Sequence, residues 1–167
     1  MQAEIESPAK LGLLLDAEVP ADWPPGEYDR DAQMHFRGLI ERADISDRGW
    51  YVWYAILPAG GGGHASLVGS GGFMGPPSAA GEVEIGFSVS ESHRRRGFAR
   101  EIVTSLVRFA LADSRVRRVM AHTREDNRAS RSVLEFAGFR ATGPGSEPGT
   151  IRYALERAEA QVERPLK

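Results

Sequence analysis

Residues 82–99 read Glu82-Val83-Glu84-Ile85-Gly86-Phe87-Ser88-Val89-Ser90-Glu91-Ser92-His93-Arg94-Arg95-Arg96-Gly97-Phe98-Ala99, and the change of rhythm inside them decides the fold. Up to position 89 the pattern has period two. Val83, Ile85, Phe87 and Val89 take one face of a strand; Glu82, Glu84, Gly86 and Ser88 take the other. From 97 to 112 the period becomes helical, with Ile102, Val103, Leu106, Phe109 and Ala110 on one side. A strand therefore runs through a basic turn into a helix N-terminus. The first amides of a helix lack internal partners, and the helix dipole is positive there. Gly97 and small Ala99 let a bulky anion approach the backbone, while Arg94, Arg95 and Arg96 add charge. A diphosphate suits this mouth. A glycine-containing turn with exposed arginines is the plainer reading of the same residues.

Downstream, 116–123 reads as a strand and 127–137 as a helix, capped by Asn127 and stopped by Gly138. Two last strands, 139–142 and 150–156, flank a Gly/Pro loop. Upstream, the aromatic run 50–57 is a strand, and 67–74 is another, broken by Gly69, Gly71 and Gly72. Short links make these strands an antiparallel meander, whereas strand–helix–strand makes a right-handed parallel unit. The sheet is therefore mixed. Ahead of it, 2–6 alternates weakly and reads as an edge strand. Ser7-Pro8 opens a short helix to about 16, prolines keep 19–26 irregular, and a second helix spans 29–43, followed by a turn at 46–49. The charged tail 157–167 is expected to fray.

The 167 residues suit one domain, and their 41% hydrophobic and 26% charged fractions suit a globular one. Without cysteine there is no disulfide, thiolate metal site or cysteine nucleophile. No apolar run approaches the ~20 residues of a membrane span, and the acidic start is unlike a secretory signal. A cytoplasmic protein is expected. Net charge is −2, yet 93–131 holds eleven Arg against four acids. A basic block in an acidic chain points to a local anionic ligand rather than a nucleic-acid surface. The four histidines (His35, His64, His93 and His122) show no metal-ligand spacing, so no metal is expected. Neither G-x-x-x-x-G-K-[ST] nor a helix-opening G-x-G-x-x-G is present.

Arg94-x-x-Gly97-x-Ala99, followed about thirty residues later by Asn127-x-x-Ser130-x-x-x-Leu134-x-x-x-Gly138-Phe139, resembles the GNAT superfamily of acetyl-CoA-dependent N-acetyltransferases. Glu84-Ile85-Gly86 and Asn127-x-Ala129-Ser130 look like its RimJ/RimL-like branch, which acetylates ribosomal-protein N-termini. The likeness is specific over 82–142 and weaker over 50–81 and 150–156. It implies an α+β fold, a mixed six- to seven-stranded sheet flanked by about four helices. It also implies one domain over 1–167, with 1–49 as substrate lid helices and 82–142 as the acetyl-CoA core. The pantetheine arm would pair with the backbone of Phe87, Ser88 and Val89. The diphosphate would rest on the amides of Arg96, Gly97, Phe98, Ala99 and Arg100, with Asn127 holding the arm from the other side. Acetyl transfer to an amine would be direct.

An attacking amine must lose a proton. Glu84, pointing away from the apolar row, is the candidate base; a structural carboxylate is the alternative, and Glu82 is a second choice. Many members carry Tyr where this chain has Leu134. The branch resemblance gives Ser130 the role of protonating the thiolate, and Tyr153 is another candidate donor. Ser130 as a small residue that lets the arm pass is the plainer reading. His122 lies near the expected cleft, either touching substrate or hydrogen-bonded structurally. Trp23 and the 50–54 aromatics could line an acceptor pocket or pack a core. The expected partner is an amine acceptor (a protein N-terminus, amino acid, polyamine or antibiotic amine), with homodimerisation possible and neither nucleic acid nor membrane involved. The alternative function is a non-catalytic acyl-CoA-binding module, which Leu134 permits.

Overall fold

Local chemistry sets most element boundaries. The computed structural model describes residues 2–160 except Glu27 and Gly62. In chain order it contains α1 (Gln2–Glu6), α2 (Pro8–Leu15), α3 (Arg30–Arg42), β1 (Val52–Leu57), β2 (Ser66–Phe73), β3 (Glu82–Val89), α4 (Phe98–Ala112), β4 (Arg118–Arg124), α5 (Arg128–Phe136), β5 (Arg140–Pro144), β6 (Thr150–Glu156) and α6 (Arg157–Ala160). The strands run in the order β1-β2-β3-β4-β6-β5. Strands β3 and β4 pair in parallel; β1–β2, β4–β6 and β5–β6 are antiparallel. The chain forms two compact units, one from Met1–Gly72 with Phe87–Ile102, the other from Phe73–Gly86 with Val103–Lys167.

In the first unit, Ser7 caps α2 by accepting from the Lys10 amide at 3.2 Å, with Pro8 at the first helical position. Asp29 caps α3 through the Ala32 amide at 3.0 Å. The expected edge strand at 2–6 is instead α1, so the sheet has six strands and not seven. The reason is tertiary. The helix turns Glu4 inward, where its carboxylate accepts from Trp23 Nε1 (3.2 Å), Tyr28 Oη (3.1 Å), Gln33 Nε2 (3.1 Å) and Tyr54 Oη (2.6 Å). Burial first, then Glu4, pushes both tyrosine hydroxyls above their usual range and keeps them as donors. Leu11, Trp23, Tyr28 and Leu67 form the core around this group. The expected turn at 46–49 lies within a 3₁₀ helix, Ile45–Trp50. The glycines of β2 do not break it; they admit neighbouring backbone. A Cβ on Gly69 would lie 2.4 Å from the Ser88 carbonyl oxygen, and one on Gly72 would lie 1.9 Å from that of Tyr51.

In the second unit, Val83, Ile85, Val103, Leu106, Ala110, Val119, Ala121, Leu134, Phe139, Tyr153 and Leu155 are buried. This is the apolar half of each alternating strand and the inward stripe of α4 and α5. Fraying is expected from 157, but Arg157–Ala160 form α6. Arg157 donates to the carbonyls of Val116 (2.6 Å), Leu111 (2.9 Å) and Asp113 (2.5 Å), which ties α6 down. The remainder of the tail, 161–167, lies outside the described residues.

Candidate active site

The turn after β3 belongs to the first unit. The Ser90 amide donates to the Val68 carbonyl at 3.0 Å, holding the end of β3 against β2. A single 3₁₀ turn, Glu91–His93, follows. Arg94 reaches back with Nε to the Val89 carbonyl (3.3 Å) and with Nη1 to Glu91 (3.2 Å). Arg95 adopts a left-handed φ of 61°, and Gly97 a φ of 91°. The Gly97 carbonyl accepts from the amides of Arg100 (3.0 Å) and Glu101 (3.3 Å), so α4 begins on it. No atom lies within 4 Å of the position a Cβ on Gly97 would take. Arg94, Arg95, Arg96 and Arg100 are exposed, and the Arg96 guanidinium sits 5.1 Å from the Phe98 ring centroid. Open space, a helix start and four exposed guanidinium groups fit a diphosphate.

The proline segment is fastened to this turn within the same unit. Asp22 accepts from the Ser92 amide and hydroxyl, each at 3.0 Å. The Ser92 backbone N–H, more than its hydroxyl, holds the Asp22 carboxyl below its usual range. The Ser88 hydroxyl donates to the Pro25 carbonyl at 2.8 Å. Trp23 is core, at 8% exposure, and Tyr54 is half-buried against the same cluster.

The second unit holds the proton-transfer candidates. The parallel ladder joins Glu82 to Arg118, Val83 to Val119 and Glu84 to Met120. The ladder ends at that pair, and among the described residues of this unit Ile85 and Gly86 are not paired with β4. His122, two residues beyond Met120 on the same face of β4, lies just past the end of the ladder: its Nδ1 is 3.3 Å from Glu84 Oε1 and 3.2 Å from Ser146 Oγ. A proton on Nδ1 suits both neighbours and leaves Nε2, which is buried without a partner, with a free lone pair. Glu82 is committed to Arg118 at 2.9 Å. The second carboxylate on Arg118, Glu156 at 2.5 Å, is the larger influence holding that guanidinium above its usual range.

Asn127 caps α5, its Oδ1 accepting from the Ser130 amide at 3.1 Å; both residues are half-buried. Leu134 is fully buried in the core. Tyr153 is 1% exposed, and its hydroxyl donates to Glu135 (3.0 Å) while accepting from Arg131 Nε (3.2 Å). Glu84 and His122 thus come together, while the Tyr153 hydroxyl is bound to two other side chains. Sequence reasoning missed Ser146, because the loop carrying it has no pattern of its own. Beside His122 lies a cavity of about 350 Å³, lined also by Arg118, Ser146, Arg152 and Glu156. Among the described residues no cluster of His, Asp or Glu could hold a metal ion, and no helix is long and apolar enough to cross a membrane.

The family profile described as an acetyltransferase (GNAT) domain matches residues 7–140. The chain is 31% identical over 125 residues to YjdG of Bacillus subtilis (strain 168), described as an uncharacterized N-acetyltransferase; the match covers 75% of this chain and 71% of that one. Two solved structures share the fold. Aminoglycoside acetyltransferase AAC(6')-Ib in complex with coenzyme A gives a TM-score of 0.55 at 19% identity, over 70% of this chain and 73% of that one. Mutant forms of the spermidine/spermine N-acetyltransferase SpeG from Vibrio cholerae give 0.51 at 15% identity, over 57% of this chain and 60% of that one.

Proposed function

The chain belongs to the GNAT acetyltransferase family, and on that premise we propose that it transfers an acetyl group directly from acetyl-CoA to a primary amine in the cytoplasm. The end of the parallel ladder at Glu84 carries the reading. Main-chain donors and acceptors without a ladder partner suit an extended, amide-bearing ligand. Bound acetyl-CoA supplies the activated acyl group as a thioester.

The chain's own residues do the rest. The amides of Arg96, Gly97, Phe98 and Ala99, with the side chains of Arg94, Arg95, Arg96 and Arg100, hold the diphosphate, while the Arg100 amide is taken by the Gly97 carbonyl; Gly97 keeps that approach clear. The backbone of Phe87, Ser88 and Val89 pairs with the pantetheine arm. Asn127 steadies the arm, and the Ser130 hydroxyl donates to the departing thiolate. Glu84, half-buried at the end of the ladder, takes the amine's proton, and His122 orients it through Nδ1. Leu134 has no proton to give, and it is buried. Tyr153 is assigned to packing, since its hydroxyl is already held by Glu135 and Arg131. Glu84-Ile85-Gly86 and Asn127-x-Ala129-Ser130 support the RimJ/RimL-like branch, and with it a protein N-terminus or a small-molecule amine as acceptor.

The test is titration calorimetry with acetyl-CoA, followed by thiol release across a panel of amines. Acetyl-CoA at 100 times its Kd should stabilise the fold by about 2.7 kcal/mol. Binding without thiol release on any amine would favour a non-catalytic acyl-CoA-binding module, and no binding would refute the assignment.

A further inference from the structure

We propose that the cavity beside His122 selects an acceptor amine that also carries a carboxylate, with Arg152 as the residue that binds the anion. The inference rests on the acetyl-transfer reading above and names the substrate class for it.

Strand register brings the lining together. Arg118, Met120 and His122 alternate onto one face of β4, and their antiparallel partners on β6 are Glu156, Ala154 and Arg152. Side chains directly opposite on one face of a sheet are neighbours. The groove, about 350 Å³, sits at the low end of the roughly 300–1,000 Å³ of small-molecule sites. It is open to solvent along Thr142, Ser146 and Arg152, so it holds the amine-bearing end of an acceptor.

The charges in this cavity are unevenly matched. Arg118 engages both lining carboxylates, Glu82 at 2.9 Å and Glu156 at 2.5 Å. Arg152 has no carboxylate partner among the described residues; its Nε donates to Thr142 Oγ1 at 3.2 Å. Glu84 is unpaired with any described Arg or Lys and faces only His122, which lines the cavity. One uncompensated cation thus lines the space directly, and one uncompensated carboxylate stands behind the lining His122, 3.3 Å from its Nδ1. An ammonium suits the Glu84–His122 end. A guanidinium with free Nη groups suits a carboxylate, which it can grip with two parallel hydrogen bonds. A polyamine offers nothing to Arg152 and meets like charge there.

The experiment uses the full chain, acetyl-CoA and matched acceptors: free methionine, serine and glutamate, their carboxamides, the corresponding decarboxylated amines, an aminophosphonate and spermidine. The wild type should show kcat/KM at least tenfold higher for the amino acid than for its carboxamide. R152Q should abolish that ratio, and R152K should restore part of it. A wild-type preference for aminophosphonate over amino acid would overturn the carboxylate assignment. Equal kcat/KM across a matched set, a lead for spermidine, or an equal R152Q loss on every acceptor would overturn the proposal. Calorimetry of the same amino acids with the CoA-loaded protein reads the cavity without turnover. Amino-acid binding weakened tenfold or more by R152Q supports the proposal, and an absence of amino-acid binding overturns it. Failure to bind acetyl-CoA, by contrast, counts against the acetyl-transfer reading.

Discussion

Replacing Gly97 by Glu places a carboxylate at the mouth of α4, and its two consequences can be separated. The first is conformational. Gly97 sits at φ 91°, where an L-residue costs on the order of 1–3 kcal/mol. No steric term adds to this, because the space beside it is open to 4 Å. G97A carries the same conformational cost without charge, and both variants should melt roughly 2–12 °C below wild type, at 2–4 °C per kcal/mol. The second consequence is electrostatic. A carboxylate about 5 Å from one phosphate charge, at an effective dielectric near 20, is repelled by about 3 kcal/mol. That weakens the Kd for acetyl-CoA roughly 100-fold. Calorimetry on G97A and G97E, both confirmed folded by circular dichroism, should therefore give a modest loss for the first, whose methyl enters the open space, and a further loss of about two decades for the second. Raising the salt should narrow the gap. Equal affinities for G97E and wild type would show that the diphosphate does not sit at this helix start.

E84Q should lower turnover by roughly 100-fold or more in single-turnover assays while acetyl-CoA binding persists; a normal rate with an unchanged pH profile would return Glu84 to a structural role. S130A should reduce kcat more than KM, whereas Y153F should lower the melting temperature by the loss of about 1 kcal/mol and leave kcat alone. A kcat loss in Y153F rather than in S130A would exchange their assignments. E4Q turns an amide toward four donors that expect a carboxylate, and should cost about 2–3 kcal/mol of stability, visible in a thermal melt. Asp22 is easier to ionise folded than unfolded, so its contribution is present above its unfolded pKa near 3.9 and is lost as pH falls through the lower folded value. Thermal melts of wild type and D22A should therefore converge on acidification below about pH 4; a gap that stays constant would remove the Asp22–Ser92 contact as the cause.

The decisive strand and helix were legible because their signals are local: period two through Val89, a helical period after Gly97, and cap residues at Ser7, Asp29 and Asn127. Residues 2–6 misled for the opposite reason. Five residues cannot declare a period, and what makes them a helix is a carboxylate gripped by groups 19 to 50 positions away. The glycines of β2 looked like interruptions because a close backbone approach leaves no trace in the sequence of the strand itself. Glu84 was legible as a carboxylate on the non-apolar face of its strand. Its contact with His122 was not, since it needs parallel pairing across an intervening helix, and Ser146 arrives from a loop without periodicity. Arg152 was hidden similarly: only the pairing of β4 with β6 shows which arginine lacks an acidic neighbour.

The end of the parallel ladder at Glu84 leaves main-chain groups without a ladder partner inside a sheet. Unpaired main-chain groups of this kind usually invite another strand. A ligand that enters there is recognised as a missing strand would be, by main-chain groups that every residue type except proline can provide. Substitutions at 85–89 that preserve the backbone and the buried packing of Ile85 and Val89 should therefore drift without loss of cofactor, while a proline, which deletes a donor, should be excluded. Selectivity for the acceptor, which depends on side chains such as Arg152, can then change over time without disturbing how the acyl donor is held.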